Sequence, residues 1–168
     1  QVLGAFAPGE AGSVLVLVGD APLVTSATLE RMLAAQGAGP GMTLLTATVP
    51  APPGLGRIVR GGGGQVERIV EHKDAGPEEL AIAEVNGGFY AFDLGVFARC
   101  RRLSPDNAQG ELYITELLDL YRADGLPTRA VAAASPEEVL AANDRSELAV
   151  VDRVLRARAR RGWLLAGV

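Results

Sequence analysis

The feature that most constrains the fold is an uncharged, largely branched apolar run, Ser13–Val18, which ends in Gly19-Asp20. Such a run is typical of a strand buried on both faces, as in parallel sheets covered by helices. Glycine allows a sharp turn, so Asp20 is expected at the strand tip, where open α/β sheets hold ligands. A carboxylate there suits magnesium, which prefers oxygen ligands. The alternative is that Asp20 only caps the next helix.

Composition excludes several classes of protein. The 168 residues fit one domain. A formal net charge of -4 argues against nucleic-acid binding driven by phosphate neutralisation. No apolar run approaches the roughly 20 residues that span a bilayer. The single cysteine, Cys100, favours a structural thiol in a reducing cytoplasm. The chain starts at Gln1 without a leader pattern, so we expect a piece of a longer protein.

Strand and helix signals alternate along the chain, which predicts an α/β fold. Thr25 or Ser26 is expected to cap a helix that ends at Gly37. Two arms around four glycines, 56–60 and 65–71, predict a hairpin and not a phosphate loop, because a strand follows the glycines. Further strands are predicted over 42–49, 85–93 and 128–133, and further helices over 77–84, 94–102 and 111–123.

Two C-terminal segments carry helix signals. Ser135-Pro-Glu-Glu138 matches a capping box with proline at the first helical position. A final helix is predicted to open at Asn143 and to run to Gly162. Five of its arginines are interpreted as a solvated face, and a specific anion-binding or nucleic-acid role is the alternative; they are Arg153, Arg156, Arg158, Arg160 and Arg161.

Six motifs occur in an order and spacing that resemble a known family. They are Gly19-Asp20-Ala-Pro-Leu23, Gly54-Leu-Gly-Arg-Ile58, Ile69-Val-Glu-His-Lys-Asp74, Glu84-Val-Asn-Gly-Gly88, Asp106-Asn-Ala-Gln-Gly-Glu-Leu-Tyr-Ile-Thr115 and Val139-Leu-Ala-Ala-Asn-Asp-Arg145. Together they resemble the bacterial N-acetylglucosamine-1-phosphate uridyltransferases, the pyrophosphorylase half of bifunctional enzymes that also carry a glucosamine-1-phosphate acetyltransferase. The resemblance covers the chain from about Ser13 to Val168, which would be the C-terminal part of the uridyltransferase domain.

The resemblance implies a nucleotide-diphospho-sugar transferase fold, a mixed, mostly parallel sheet flanked by helices. Residues 1–168 would form a partial domain without its N-terminal βα units. The segment 143–168 would lead toward the left-handed β-helix domain through which full-length members form homotrimers. Gln1–Ala5 resembles a remnant of the family's nucleotide-binding segment.

The resemblance also implies site residues. Asp20 and Asn143 match the pair that holds magnesium and supports catalysis, both being hard oxygen donors. Asn143 would otherwise only cap the last helix, a task that we assign to Asp144 or the loop. Val18 and Gly19 precede Asp20 at the substrate side, and Val18 replaces a tyrosine of the family. The positions expected to contact the sugar are Gly56, Glu71, Asn86, Tyr113 and Thr115.

The activity implied by the resemblance is Mg²⁺-dependent transfer of UMP from UTP to N-acetylglucosamine 1-phosphate, giving UDP-N-acetylglucosamine and pyrophosphate. The family's glycine-rich phosphate loop precedes the region matched here, so we expect this chain alone to be inactive. Two alternatives stay open. The first is a nucleotidyltransferase for another sugar, suggested by Leu55 and Gly87, which replace an aromatic residue and a threonine. The second is a non-catalytic sugar-binding or interaction fragment.

Overall fold

A computed structural model describes residues 11–50, 54–106 and 110–167, so the predicted nucleotide remnant Gln1–Ala5 lies outside it. The strands are β1 (Ser13–Val16), β2 (Met42–Thr48), β3 (Arg57–Arg60), β4 (Val66–Val70), β5 (Glu84–Asp93) and β6 (Thr128–Ala132). The α-helices are α1 (Ser26–Gln36), α2 (Pro77–Leu80), α3 (Val96–Cys100), α4 (Leu117–Ala123) and α5 (Arg145–Leu165). Short 3-10 helices cover Ile114–Glu116 and Pro136–Val139. Within these residues, no helix is long and apolar enough to cross a membrane.

The sheet is organised around β5. Its order is β4-β3-β5-β2-β6, and β1 pairs with β5 as well. β1, β2 and β3 all run antiparallel to β5, and β3 runs antiparallel to β4. Only the β2–β6 pair is parallel among the described strands. The predicted α/β fold is confirmed, but the expectation of a mostly parallel sheet is wrong. The reason is that β5 lies in reverse between β1 and β2, which otherwise point the same way.

The strand β1 is less buried than its apolar sequence predicts. It ends at Val16, with Ser13 exposed and the next three residues half-buried. Leu17 and Val18 follow outside the strand and are 49% and 37% exposed. Among the described strands, β1 pairs only with β5, so it receives less cover than a central strand would. The prediction of a strand buried on both faces over Ser13–Val18 is therefore wrong.

Helices cover both faces of the sheet and enclose two apolar clusters. Side chains alternate along β2, so Met42 and Leu44 face one cluster whereas Leu45 and Ala47 face the other. The first cluster also contains Tyr90, Phe92, Leu117, Leu118 and Tyr121. The second contains Met32, Val85, Phe89 and Val139. Each fully buried large side chain contributes about 1.5–3 kcal/mol by leaving water.

Local signals fix the helix ends unevenly. Thr25 caps α1 by accepting a hydrogen bond from the backbone of Thr28, and Gly37 ends the helix at a φ of 62°, as predicted. α2 stops at Leu80, and of the rest of its predicted span only Glu84 belongs to a regular element, the strand β5. The helix predicted over 111–123 begins as an α-helix only at Leu117. The predicted hairpin of β3 and β4 is confirmed.

A bulge in β5 re-aims the strand near its beginning. Leu44 pairs with Tyr90, but Thr46 pairs with Asn86, so three residues of β5 lie opposite Leu45 alone. Gly88 adopts a φ of 78°, a conformation that favours glycine. A bulge bends its strand and turns side chains to new directions, and bulges are common beside functional sites. Here the residue that immediately precedes the extra segment is Asn86.

The bulge also requires a small residue at position 87. A Cβ atom placed on Gly87 would lie 2.9 Å from Cγ1 of Val139 and 3.1 Å from the carbonyl oxygen of Leu45. We expect Gly87→Ala to lower the free energy of unfolding by about 1–3 kcal/mol, because the added methyl overpacks this contact. Chemical denaturation measures the change. Val139→Ala removes one of the two clashing groups, so the double variant should lose less than the sum of the single variants. Simple additivity would contradict the contact.

The opposite end of β5 is tied down by Asp93. Its Oδ2 accepts a hydrogen bond from the backbone of Gly41 at 3.0 Å, and its Oδ1 accepts one from the Tyr121 hydroxyl at 2.9 Å. The Arg99 guanidinium lies 4.3 Å from the centre of the Tyr121 ring. Burial, reinforced by the bond to Asp93, raises the pKa of Tyr121 above its ordinary value of 10.0.

This arrangement makes stability depend on alkaline pH. A folded-state pKa that is raised contributes stability below the unfolded pKa, and this stability is lost as the pH rises past it. Tyr121→Phe should lower the free energy of unfolding at neutral pH by about 1–2 kcal/mol, because Asp93 loses a donor. The difference between variant and wild type should shrink as the pH rises above about 10. Urea unfolding at neutral pH and at a pH above about 10 measures this difference. A difference that does not change with pH would contradict the role assigned to Tyr121.

Candidate functional site

The five residues predicted to contact a sugar are connected by short contacts. The backbone N–H of Asn86 donates to the carbonyl of Gly56 at 2.9 Å. A Cβ on Gly56 would lie 3.5 Å from Glu71 Oε2, so the backbone there approaches the carboxylate closely. Thr115 donates through its hydroxyl to Glu71 Oε1 at 3.0 Å. Glu71, Tyr113 and Thr115 line one cavity of about 310 Å³. The structure therefore brings these residues together from four separate segments.

Asn86 is buried at this point and both of its amide atoms are oriented. Its Nδ2 donates to the hydroxyl of Tyr90 at 2.6 Å, and its Oδ1 accepts from the backbone of Gly88 at 3.3 Å. An amide nitrogen carries two hydrogens, and the bond to Tyr90 uses one of them. Sequence reasoning missed Tyr90. The available signal was a tyrosine in a buried strand, since a buried hydroxyl needs a hydrogen-bond partner.

The cavity is lined by both hydrogen-bond donors and hydrogen-bond acceptors. A second cavity of about 190 Å³ shares Glu71 and Tyr113 and adds Gly54, His72 and Lys73. Loss of solvation, together with nearby carboxylates such as Asp74, raises the pKa of Tyr113 above 10.0. The Tyr113 hydroxyl therefore stays protonated at neutral pH and can donate to a ligand oxygen. Acidic and hydroxyl groups of this kind suit the hydroxyls of a sugar.

The segments that carry Asp20 and Asn143 meet at a second place through a backbone hydrogen bond. The N–H of Ala142 donates to the carbonyl of Asp20 at 2.9 Å, which sets Asn143 beside the Asp20 loop. The cap of α5 is Asp144, whose side chain accepts from the backbones of Ser146 and Glu147. Asn143 is thus free of the capping role, as the sequence predicted. Asp20 caps no helix either, because Thr25 holds that position for α1.

The donor chemistry at this place fits a divalent cation. The side-chain nitrogen of Asn143 donates to Glu147 Oε2 at 3.0 Å, which leaves Oδ1 as its free ligand atom. Asp20 is exposed and adds a carboxylate. No cluster of three or more acidic, histidine or cysteine side chains that could hold a metal occurs in the described part of the chain. Magnesium commonly takes only one or two protein oxygens and completes its shell with water and phosphate. A carboxylate and an amide oxygen are donors of the type that magnesium prefers.

The pocket beside Asn143 is separate from the two cavities that Glu71 and Tyr113 line. Asn143 lines a pocket of about 190 Å³ with Leu55, Val139 and Glu147, among others. Leu55 directly precedes Gly56, so this pocket borders the sugar side. Val18 approaches the bulge of β5. A Cβ atom placed on Gly88, two residues after Asn86, would lie 3.3 Å from Cγ1 of Val18. Val18 and Gly19 therefore connect the Asp20 loop to the bulge of β5.

Cys100 has no feature of a reactive thiol. It lies at the end of α3 and is not disulfide-bonded. Desolvation raises the pKa of its thiol above 9.0, which opposes the thiolate form that a nucleophile needs. This agrees with its interpretation as a structural thiol.

Comparison with known proteins identifies relatives over nearly the whole chain. The chain is 48% identical over 162 residues to the bifunctional protein GlmU of Trichlorobacter lovleyi, covering 95% of this chain and 35% of that protein. It is 45% identical over 159 residues to the GlmU of Kineococcus radiotolerans, covering 94% and 32%. The chain thus spans about a third of the length of the curated relatives that it matches. No protein-family model matches it.

The architecture also matches a solved structure. A chain from Bacillus anthracis, described as a glucose-1-phosphate thymidylyltransferase in complex with sucrose, superposes with a TM-score of 0.55 at 23% identity. The match covers 73% of this chain and 46% of the other. The likeness confirms a nucleotidyltransferase-type fold. Over nearly its whole length, the chain is similar to about a third of the length of the bifunctional GlmU proteins.

Proposed function

We propose that the chain forms the sugar and metal side of a uridyltransferase that acts on N-acetylglucosamine 1-phosphate. The observation that carries the proposal is the convergence of Glu71, Asn86 and Thr115 beside Gly56, in a chain that is 48% identical to a GlmU protein. In this reaction a phosphate oxygen of the sugar phosphate attacks the α-phosphorus of UTP. The bond from that phosphorus to the leaving oxygen breaks, and pyrophosphate departs.

The polar groups on the sugar side match an amido sugar. The Glu71 carboxylate accepts hydrogen bonds from sugar hydroxyls and is held in place by Thr115. The remaining amide hydrogen of Asn86 donates to the N-acetyl carbonyl. Because Gly56 has no side chain, the space beside the Glu71 carboxylate stays open for the sugar ring. A few such convergent polar groups fix a ligand's orientation in a pocket.

The Asp20–Asn143 pair is proposed to hold Mg²⁺. When bound, Mg²⁺ would neutralise charge on phosphate oxygens. The chain's own contribution is to hold two oxygen ligands beside the substrate side, through the Asp20 carboxylate and the amide oxygen of Asn143. The nucleophile is already anionic, so the reaction requires no general base from the protein. Catalysis then rests on positioning and on charge neutralisation.

A second candidate is a nucleotidyltransferase for a different sugar. The structural neighbour described as a glucose-1-phosphate thymidylyltransferase shares the fold. Gly87, next to Asn86, also departs from the threonine of the resembled family, which changes the wall beside the amide. The two candidates differ in whether the N-acetyl group contributes to binding.

Ligand titration followed by NMR or calorimetry separates these candidates. We expect UDP-N-acetylglucosamine to bind more tightly than UDP-glucose in the presence of Mg²⁺, because only the former offers Asn86 an N-acetyl acceptor. Glu71→Gln should weaken binding of UDP-N-acetylglucosamine by about tenfold and binding of UMP by much less, since a good hydrogen bond to a charged group contributes about 1.5 kcal/mol.

Glu30→Gln is the matched control for that substitution. Glu30 is an exposed carboxylate on α1, so its neutralisation should leave both affinities unchanged. Equal losses for the sugar nucleotide and for UMP in Glu71→Gln would contradict the role of Glu71. Equal binding of UDP-glucose would favour the second candidate.

The metal pair is tested with Mn²⁺ as a paramagnetic substitute for Mg²⁺. Electron paramagnetic resonance should show that UDP-N-acetylglucosamine and the protein bind Mn²⁺ together. Asp20→Asn should raise the dissociation constant for Mn²⁺ by at least about tenfold, because it removes the charged oxygen ligand. An unchanged affinity in Asp20→Asn, with Glu30→Gln as the reference, would show that the cation binds elsewhere.

A further inference from the structure

Glu138 makes contacts that its sequence motif does not predict. In a capping box its side chain would bond to the backbone of Ser135. Ser135 does cap the short helix Pro136–Val139, by accepting from the backbone of Glu137. The Glu138 carboxylate, which is 1% exposed, instead accepts from the Thr25 hydroxyl at 2.8 Å and from the backbone of Ala134 at 3.3 Å. Thr25 lies 113 positions away in sequence.

This partly buried hydrogen bond joins the two segments that carry Asp20 and Asn143. Thr25 ends the loop that begins at Asp20, and Glu138 lies five residues before Asn143. The same two segments meet again where Ala142 donates to Asp20. Arg158 of α5 forms a third tie, because it donates to the carbonyl of Leu23 at 2.6 Å.

We propose that Glu138 is a positioning residue, whose hydrogen bond to Thr25 fixes the Asp20 loop against the Asn143 loop. The expected effect on metal affinity rests on the proposed function, whereas the fixing of the two loops does not. Magnesium demands ligand oxygens at about 2.0–2.1 Å in near-octahedral geometry, so small shifts of either loop are costly. Site groups generally have to be held to within about 0.5 Å by residues behind them.

The energetic basis is that a buried carboxylate must be hydrogen-bonded. Glu138 has one long-range side-chain partner, Thr25, and one local backbone partner, Ala134. The hydroxyl of Thr25 also accepts from the backbone of Thr28 as the N-cap of α1. The Glu138 carboxylate thus orients the Thr25 hydroxyl, which caps α1. Because Thr25 is the last residue of the Asp20 loop, the same bond holds the end of that loop.

The test compares substitutions at the two ends of α1. Glu138→Met removes both acceptors while filling the same space and leaving the Thr25 cap in place. Gln36→Met is the matched control, because Gln36 is also 1% exposed and bonds to Gly41 and Thr43 at the far end of the helix. Glu138→Gln keeps one side-chain acceptor for Thr25 and serves as the conservative rescue.

The first readout is amide hydrogen exchange of Ala142, which needs no metal. Because the Ala142 N–H donates to Asp20, its exchange reports separation of the two loops. We expect exchange about tenfold faster in Glu138→Met and within about threefold of wild type in Glu138→Gln and Gln36→Met. Equal acceleration in Glu138→Met and Gln36→Met would overturn the proposal, because it would reflect a general loss of stability.

The second readout is the dissociation constant for Mn²⁺ in the presence of UDP-N-acetylglucosamine. It should rise about tenfold in Glu138→Met and stay near wild type in the other two variants. An unchanged constant in Glu138→Met, with wild-type Mn²⁺ binding intact, would overturn the positioning role. If wild type itself binds no Mn²⁺, the proposed metal site fails, and the exchange comparison alone still decides whether Glu138 fixes the loops.

If Glu138→Met does not fold, Thr25→Asp takes its place in the exchange measurement. Ionised aspartate keeps an oxygen to cap α1, has no hydrogen to donate to Glu138 and repels its carboxylate, so exchange is compared at a pH at which both carboxylates are ionised. The same acceleration of Ala142 exchange is then expected. Unchanged exchange in Thr25→Asp would overturn the proposal.

Discussion

The reversed strand β5 determines most of the arrangement described above. It lies between β1 and β2 and pairs antiparallel with both, and it also contacts β3. Every strand that carries or borders the site is therefore placed relative to β5. Asp93 ties one end of β5 to Gly41 and Tyr121, and the bulge with its glycines turns Asn86 at the other end. The bulge is possible only because position 87 has no side chain between Val139 and Leu45.

Local features of the fold could be predicted from sequence where one or two residues determine them. Thr25 and Gly37 bound α1 because a hydroxyl can cap a helix start and glycine can adopt a positive φ at its end. Strand direction could not be predicted in this way. An alternation of strands and helices looks the same whether a strand enters the sheet forwards or in reverse, so nothing in Glu84–Asp93 itself indicates its antiparallel pairing. The exposure of β1 depends on its neighbours for the same reason.

The site shows a similar division between local and long-range information. Glu71 and Thr115 form a hydrogen bond across 44 positions, and no sequence spacing indicates it. These residues could be named only through the resemblance to a family. Its motifs mark positions that are distant in sequence but share one site. Tyr90 and Glu138 were missed because their roles are to hold other residues. Glu138 was even assigned to a different bond, since a capping box is a local pattern and Thr25 is distant.

The two sides of the site are held by different kinds of interaction. Asn86 lies in β5 itself, Gly56 directly precedes the neighbouring strand β3, and Glu71 directly follows β4, which pairs with β3. The proposed sugar side therefore shares the rigidity of the sheet. Asp20 and Asn143 lie in loops, and these loops are joined by hydrogen bonds from the backbone of Ala142 to Asp20 and from the Thr25 hydroxyl to Glu138. Loops generally open at lower free energy than core strands do. The geometry around Asp20 and Asn143 therefore depends on a few partly buried polar contacts, whereas the geometry around Gly56, Glu71 and Asn86 depends on the packing of the sheet as a whole.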